Sequence, residues 1–468
     1  MAKLYVFGIG GTGSRVLRSL TMLLAAGVKI EADEIIPIVI DPDQANADLT
    51  RAITLMNDYA RIHKQLTFAG DNQNIFFKTE IGQLLTNYTL VVKDTSSKEF
   101  RQFIELSSMS TENQAMVQML FSQKNLHSQM DIGFKGNPNI GSVVLNQIPS
   151  SEGFDKFANS FEQGDKVFII SSIFGGTGAS GFPLLLKTLR TGHSFANFAN
   201  INSSEIGAIT LLPYFRLETN DSSEIDSSTF ISKTRSALAY YEKNISGNSQ
   251  INALYYLGDD LTNIYENVEG GTGQMNQAHL MEFLAATAVV DFCNNPTDNA
   301  TTVHKELGLK KAGAEVTFAD FHEGLGDMLR APLTQFMLLS NALDEKMDWM
   351  SSVKIAANKT LGLDADFFKS PFVKNLQKFA REYKAWLAEL KENRRSLDLF
   401  NFSTGDLPFN LVTGVEPARV ASLAKNYSLF AGRLNSAAEK CKSNATEDKL
   451  MEVYSMATKK LVKEKFNF

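Results

Sequence analysis

Two glycine-rich turns, each set between an apolar strand-like run and a helix-like run, constrain this chain more than any other feature. GGTGAS at Gly175–Ser180 follows the run Lys166–Ile173 and opens a helical run over Gly181–Leu189. GIGGTGS at Gly8–Ser14 follows Leu4–Phe7 and opens Ser14–Ala26, where Val16, Leu17, Leu20, Leu23 and Leu24 have helical spacing. Short, continuously apolar strands belong in a parallel sheet covered on both faces. A glycine turn from such a strand into a helix points backbone N–H groups and a helix N-terminus at a phosphate. The expected fold is therefore α/β with a Rossmann-like parallel sheet. The candidate phosphate residues are Gly10, Gly11, Thr12 and Gly13 in the first turn. In the second they are Gly175, Gly176, Thr177, Gly178, Ala179 and Ser180, with Thr177 and Ser180 adding hydroxyls.

Composition narrows the class. A chain of 468 residues has room for two or three domains, and 44% hydrophobic with 21% charged residues is ordinary for a globular protein. No apolar run is long enough to span a membrane, and the N-terminus enters a strand without a basic, cleavable leader. Cys293 and Cys441 are too few for a disulfide framework or a zinc site, and the six histidines show no ligand spacing. A cytoplasmic protein with no transmembrane segment and no protein-bound metal is expected. The net charge of −6 argues against general nucleic-acid binding. Residues 353–468 hold 20 Lys+Arg against 13 Asp+Glu, so the C-terminal end is basic. That fits solvated helix faces, or a basic end meeting an acidic end of a neighbouring subunit.

The first turn alone fits three nucleotide-binding groups: dinucleotide enzymes, adenylating enzymes that activate ubiquitin-like proteins, and the tubulin/FtsZ superfamily. The strand Ile35–Ile40 ends in Asp41-Pro42-Asp43, and acids there commonly contact a ribose in any of the three. A third glycine segment breaks the tie. Gly133-Phe134-Lys135-Gly136-Asn137-Pro138-Asn139-Ile140-Gly141 resembles the GxGAGxNPxxG loop of FtsZ, and GGTGAS resembles the GGGTGSG signature of tubulins. Pro183 and Pro213-Tyr214-Phe215 also fall where FtsZ has a helix proline and a KPF strand ending. The chain thus resembles a bacterial tubulin/FtsZ-like protein over roughly residues 1–330, in the correct order throughout.

That resemblance implies a nucleotide-binding domain over 1–275, with a helical insertion at about 46–130, a central helix at 276–295, and a C-terminal domain at 296–468. It implies GTP or GDP as cofactor with Mg2+, held through Gly136 and Asn137 as well as the two turns. Asp259, in place of the usual asparagine, would accept from the donor edge of guanine, and Asn276 would contact the base at the start of the central helix. The loop Glu315-Val316-Thr317-Phe318-Ala319-Asp320 resembles the NxDFAD loop that acts on the neighbouring subunit's nucleotide. Asp320 would polarise the attacking water, Glu315 would assist, and Thr317 replaces the second aspartate. Head-to-tail self-association follows from the same resemblance. The departures in that loop favour a second alternative, a nucleotide-binding scaffold or switch with little hydrolysis.

Two further regions are read from residue pattern. Leu217–Ser228 is a polar surface loop. In the C-terminal region Phe372, Leu376, Phe379, Tyr383, Trp386 and Leu390 step by four and three, which predicts a helix with one buried stripe in a mostly helical domain. The basic tail KKLVKEKFNF is expected to fray.

Overall fold

A computed structural model describes residues 2–93, 95, 98–130, 133–134, 136–218, 229–246, 250–261, 263–266, 268, 271–295, 303–306, 309–310, 313–418 and 426–468. The predicted polar loop falls largely on 219–228, outside the described residues.

Among the described residues, seven strands form one sheet. They are β1 (Lys3–Ile9), β2 (Glu34–Ile40), β3 (Glu80–Ile81), β4 (Lys166–Ser172), β5 (Ile206–Leu211), β7 (Ala253–Leu257) and β9 (Val303–Glu306). β6 (Phe215–Leu217) and β8 (Asn263–Tyr265) pair separately. The order in the large sheet is β3-β2-β1-β4-β5-β7-β9, and every neighbouring pair is parallel. β5 is buried at all six positions, and β1 and β4 at all but their first residue, as strands covered on both faces must be. The chain moves outward from β1 through β2 to β3, then restarts at β4 and moves the other way. The β1/β4 boundary, where Leu4 lies beside Lys166 and Gly8 beside Ile170, is a topological switch point. Crevices beyond the carboxyl ends of strands at such a point are where α/β sheets bind ligands. Both glycine turns follow these two strands.

The helix Gly10–Ala25 packs on Ala47–His63 and on Leu280–Asn294, while Gly176–Thr191 packs on Pro138–Leu145. Ala47–His63 buries Leu49, Ala52, Met56, Tyr59 and Ile62, so the first part of the expected 46–130 insertion belongs to the helical layer. The short helix Thr111–Leu120 has no buried residue and is closer to what an inserted element should be. The central helix runs over Leu280–Asn294 with 13 of its residues buried; Asn276 and Gln277 precede it. It starts late because His279 caps it. The His279 ring Nδ1 accepts from the Met281 N–H at 3.1 Å, and Glu282 Oε2 accepts from the His279 N–H at 3.0 Å.

The C-terminal region is mainly helical, with long helices at Glu323–Glu345, Pro371–Glu392 and Thr446–Phe466 and a shorter one at Tyr427–Ala438. The predicted stripe from Phe372 to Leu390 is wholly buried. The last helix does not fray. Leu461, Val462 and Phe466 are buried, and Asp448 Oδ1 accepts from the Thr67 N–H at 2.7 Å, tying the helix to the N-terminal half. No helix among the described residues is long and apolar enough to cross a membrane.

Candidate functional site

One cleft opens over the switch point. Gly10, Gly11 and Thr12 form one wall, Gly175, Gly176, Thr177 and Gly178 another, and Gly133, Phe134 and Gly136 close over them. Asp41, Asp43, Asn46, Gln274 and Asn276 line the cleft as well. The three glycine segments, spread over 170 residues of sequence, therefore meet.

Their geometry explains the glycines. Gly10 takes φ 71°, the left-handed region that favours glycine, as the chain turns from β1 into the first helix. A Cβ on Gly13 would lie 2.4 Å from the Gly8 carbonyl carbon, so Gly13 serves helix-to-strand packing and does not line the cleft. A Cβ on Gly176 would lie 3.0 Å from Phe134 Cβ and 3.1 Å from the Gly136 nitrogen. Gly176→Val is expected to push Phe134 and Gly136 off the second turn and to weaken the hold of this cleft on a phosphate-bearing ligand at least about tenfold. A titration with GDP checks this, and undiminished affinity would contradict it.

Ser180, Ala179 and Asn137 sit just behind the cleft wall. Ser180 Oγ donates back to the Gly176 carbonyl at 2.8 Å, and the Ala179 N–H is taken by the Gly175 carbonyl at 3.4 Å. Asn137 precedes the helix Pro138–Leu145.

The two ends of the cleft differ in charge. The helices starting at Gly10 and Gly176 have no side-chain cap and no acid in their first turns. By contrast Asn46, Ser151, His279 and Ser370 cap their helices with side chains. Uncapped first-turn N–H groups and the dipole make an anion site. Lys233 adds a cation beside it, its Nζ donating to the Gly136 carbonyl at 2.9 Å.

Elsewhere the lining is acidic. Asp41 Oδ1 accepts from the Asp43 N–H at 3.1 Å, and Asp43 Oδ2 from the Gly271 N–H at 2.6 Å. Asn46 Nδ2 donates to Gln274 Oε1 at 2.5 Å. Burial pushes the Asp41 carboxyl up to about 7, and the Asp43 and Asp48 charges add to the rise against the Asp43 N–H bond. The folded protein therefore holds a proton on Asp41 that the unfolded chain releases above its ordinary value of 3.8. Between about pH 4 and 7 the ligand-free protein therefore loses stability through this group as pH rises. Asp41→Asn should raise the unfolding temperature at pH 8 and leave it unchanged near pH 3. An equal shift at both pH values would contradict this origin.

Arg15, which the sequence reading missed, forms the cleft floor. Its NH1 donates to Asp48 Oδ2 at 2.8 Å, its NH2 to the Tyr214 hydroxyl at 3.1 Å, and its Nε to Glu282 Oε1. The Tyr214 hydroxyl donates to Glu282 Oε1 at 2.7 Å. Burial acts to lower the Arg15 guanidinium, but Glu282, Tyr214 and Asp48 outweigh it and hold it fully charged. Burial pushes the neighbouring His279 down to about 4, so its ring is neutral at pH 7. Phe174, Phe215 and Phe230 supply an aromatic wall, also unforeseen, with Phe174 5.4 Å from Phe215 and 5.0 Å from Phe230 between ring centres.

Besides Gly13, Asn137, Ala179 and Ser180, which border the cleft without lining it, three predicted residues are engaged elsewhere. Asp259 is taken by Arg395, whose Nε donates to Asp259 Oδ2 at 2.8 Å. Asp320 and Glu315 lie on a separate turn where Glu315–Val316 pairs with Ser396–Leu397. Glu315 is exposed. Asp320 Oδ2 accepts from the Thr317 N–H at 2.8 Å and from Thr317 Oγ1 at 2.9 Å. Among the described residues no trio of His, Cys, Asp and Glu could hold a metal. Mg2+ beside a bound polyphosphate would take phosphate oxygens and water, with few protein ligands.

No protein-family model matches the chain, and no curated protein matches it. Among solved structures it is similar to CetZ2 from Haloferax volcanii, a GTPγS-bound protofilament, at 13% identity over 55% of this chain and 49% of that one, with TM-score 0.28. It is similar to GDP-bound monomeric CetZ1 from the same organism, at 14% identity over 58% of this chain and 56% of that one, with TM-score 0.29. CetZ from Methanosaeta thermophila gives 16% identity over 55% of this chain and 46% of that one, with TM-score 0.24. The chain spans about half the length of these proteins. All are archaeal, so they lend no support to a bacterial affiliation. The parallel sheet, the three glycine segments meeting in order over its switch point and the buried helix beside the first turn give this chain an α/β fold with a Rossmann-like parallel sheet.

Proposed function

We propose that this protein binds a guanine nucleotide in the cleft over β1 and β4 and is a GTPase whose catalytic loop acts on the nucleotide of the next subunit. One observation carries the proposal: three glycine segments and two uncapped helix N-termini converge where strand order reverses, with acceptor-rich side chains in the same cleft. The N–H groups suit the polyphosphate. Asp43, Gln274 and Asn276 suit ribose hydroxyls and the donor edge of guanine, and the phenylalanine wall suits a base face. Mg2+ would supply charge neutralisation at the phosphates, and the chain's own part is positioning. Asp259 has no share in base recognition on this account, because Arg395 occupies it. Head-to-tail assembly is the arrangement that gives Asp320 and Glu315 a role, since neither reaches the cleft of its own chain.

A scaffold or switch with slow hydrolysis is the second reading. It is favoured by the two hydrogen bonds from Thr317 that already engage Asp320. Equilibrium titrations with GTP, GDP, ATP and NAD test the nucleotide assignment. Guanine nucleotides should bind most tightly, and preference for ATP or NAD would overturn it.

A further inference from the structure

We infer that Glu389 and Asn393, at the end of the C-terminal helix Pro371–Glu392, are positioning residues for the nucleotide cleft. They fix the segment 274–278, so nucleotide affinity depends on the C-terminal region. The inference rests on the nucleotide reading of the cleft.

Residues 274–278 lie in neither helix nor strand, yet Gln274 and Asn276 line the cleft. Backbone geometry there is set from outside. The Ala278 N–H donates to Glu389 Oε2 at 2.8 Å, and Asn393 Nδ2 donates to the Ala278 carbonyl at 2.5 Å. The Asn276 N–H donates to Asp48 Oδ1 at 3.2 Å, and Arg51 NH2 donates to the Asn276 carbonyl at 3.2 Å. That same Arg51 nitrogen donates to Glu389 Oε2 at 3.2 Å. Glu389 is itself gripped by both terminal nitrogens of Arg18, at 2.7 and 2.9 Å. One carboxylate therefore joins the first helix, the second helix and the cleft segment.

Burial pushes the Glu389 carboxyl up, but the Arg18 and Arg51 contacts outweigh it and leave it below the usual carboxylate range. It is thus an anion at neutral pH. Neither Glu389 nor Asn393 lines the cleft, so their effect on a ligand passes through Ala278 and Asn276.

The test titrates the full-length protein with a fluorescent GDP analogue and reads stoichiometry and Kd separately. Glu389→Ala and Asn393→Ala should keep one site per chain and raise Kd by about tenfold or more. Lys384→Ala is the control. Lys384 lies on the same helix as Glu389; its replacement removes a salt bridge, 2.8 Å long, to Asp344 of the helix Glu323–Glu345 and should leave Kd unchanged. A merely destabilised protein would lose stoichiometry at constant Kd, and that pattern in Asn393→Ala would overturn the inference. Unchanged Kd in a folded Glu389→Ala protein would also overturn it, with the nucleotide assignment left standing. If Glu389→Ala does not fold, Asn393→Ala decides. Failure of the unaltered protein to bind the analogue would overturn both the assignment and this inference.

Discussion

Arg15→Ala is expected to destabilise the protein by about 3–5 kcal/mol, the usual cost of removing one partner from a buried ion network. The side chains of Asp48 and Glu282 have no exposed surface, and Arg15 is 5% exposed. With the guanidinium gone, two buried carboxylates would be left without the cation they share. Arg15→Lys should recover little, because an ammonium cannot reach Asp48, Glu282 and Tyr214 in the planar arrangement the guanidinium uses. The loss should depend on pH with a definite sign. Burial already raises the Asp48 carboxyl against the pull of Arg15, and removing Arg15 raises it further. The folded variant would then take up a proton that the unfolded chain does not hold at neutral pH. Its deficit relative to the unaltered protein should therefore shrink on acidification from pH 8 to pH 5. Denaturant unfolding at both values measures this. A loss below about 1 kcal/mol, the range of an exposed ion pair, would show that the network does not hold the cleft floor.

The second large effect is catalytic. Asp320→Ala should lower phosphate release about 100-fold or more, the low end of what a positioned general base contributes. Affinity for GDP should stay the same, because Asp320 does not line the cleft. Thr317→Ala should leave binding alone too. It removes the hydroxyl that donates to Asp320 Oδ2, and so shows whether that bond restrains the carboxylate. Unchanged turnover in Asp320→Ala would remove that residue from the mechanism and favour the scaffold or switch.

The sequence carried the cleft's glycine walls because local chemistry writes them. An apolar strand, a glycine turn and a helix lie within some twenty residues, and their signals do not depend on the rest of the chain. The buried stripe from Phe372 to Leu390 was legible for the same reason. What joins distant segments was not. Arg15 and Glu282 are 267 positions apart, and Arg18 and Glu389 are 371 apart, so nothing near Arg15 announces its partners. Asp259 looked free to meet a base until the fold brought Arg395 to it. The late start of the central helix hung on a histidine acting as cap, a role more often filled by Ser, Thr, Asp or Asn. The aromatic wall combines residues from three separate segments, none of them unusual alone.

In the proposed function this cleft holds GTP, and hydrolysis is completed between subunits. Phosphate release from GTP, measured with Mg2+ across a range of protein concentrations, tests it most directly. Little release per molecule is expected at low concentration, with a rise above a threshold. Turnover per molecule that is substantial and independent of concentration would contradict it, because each chain would then complete its own site.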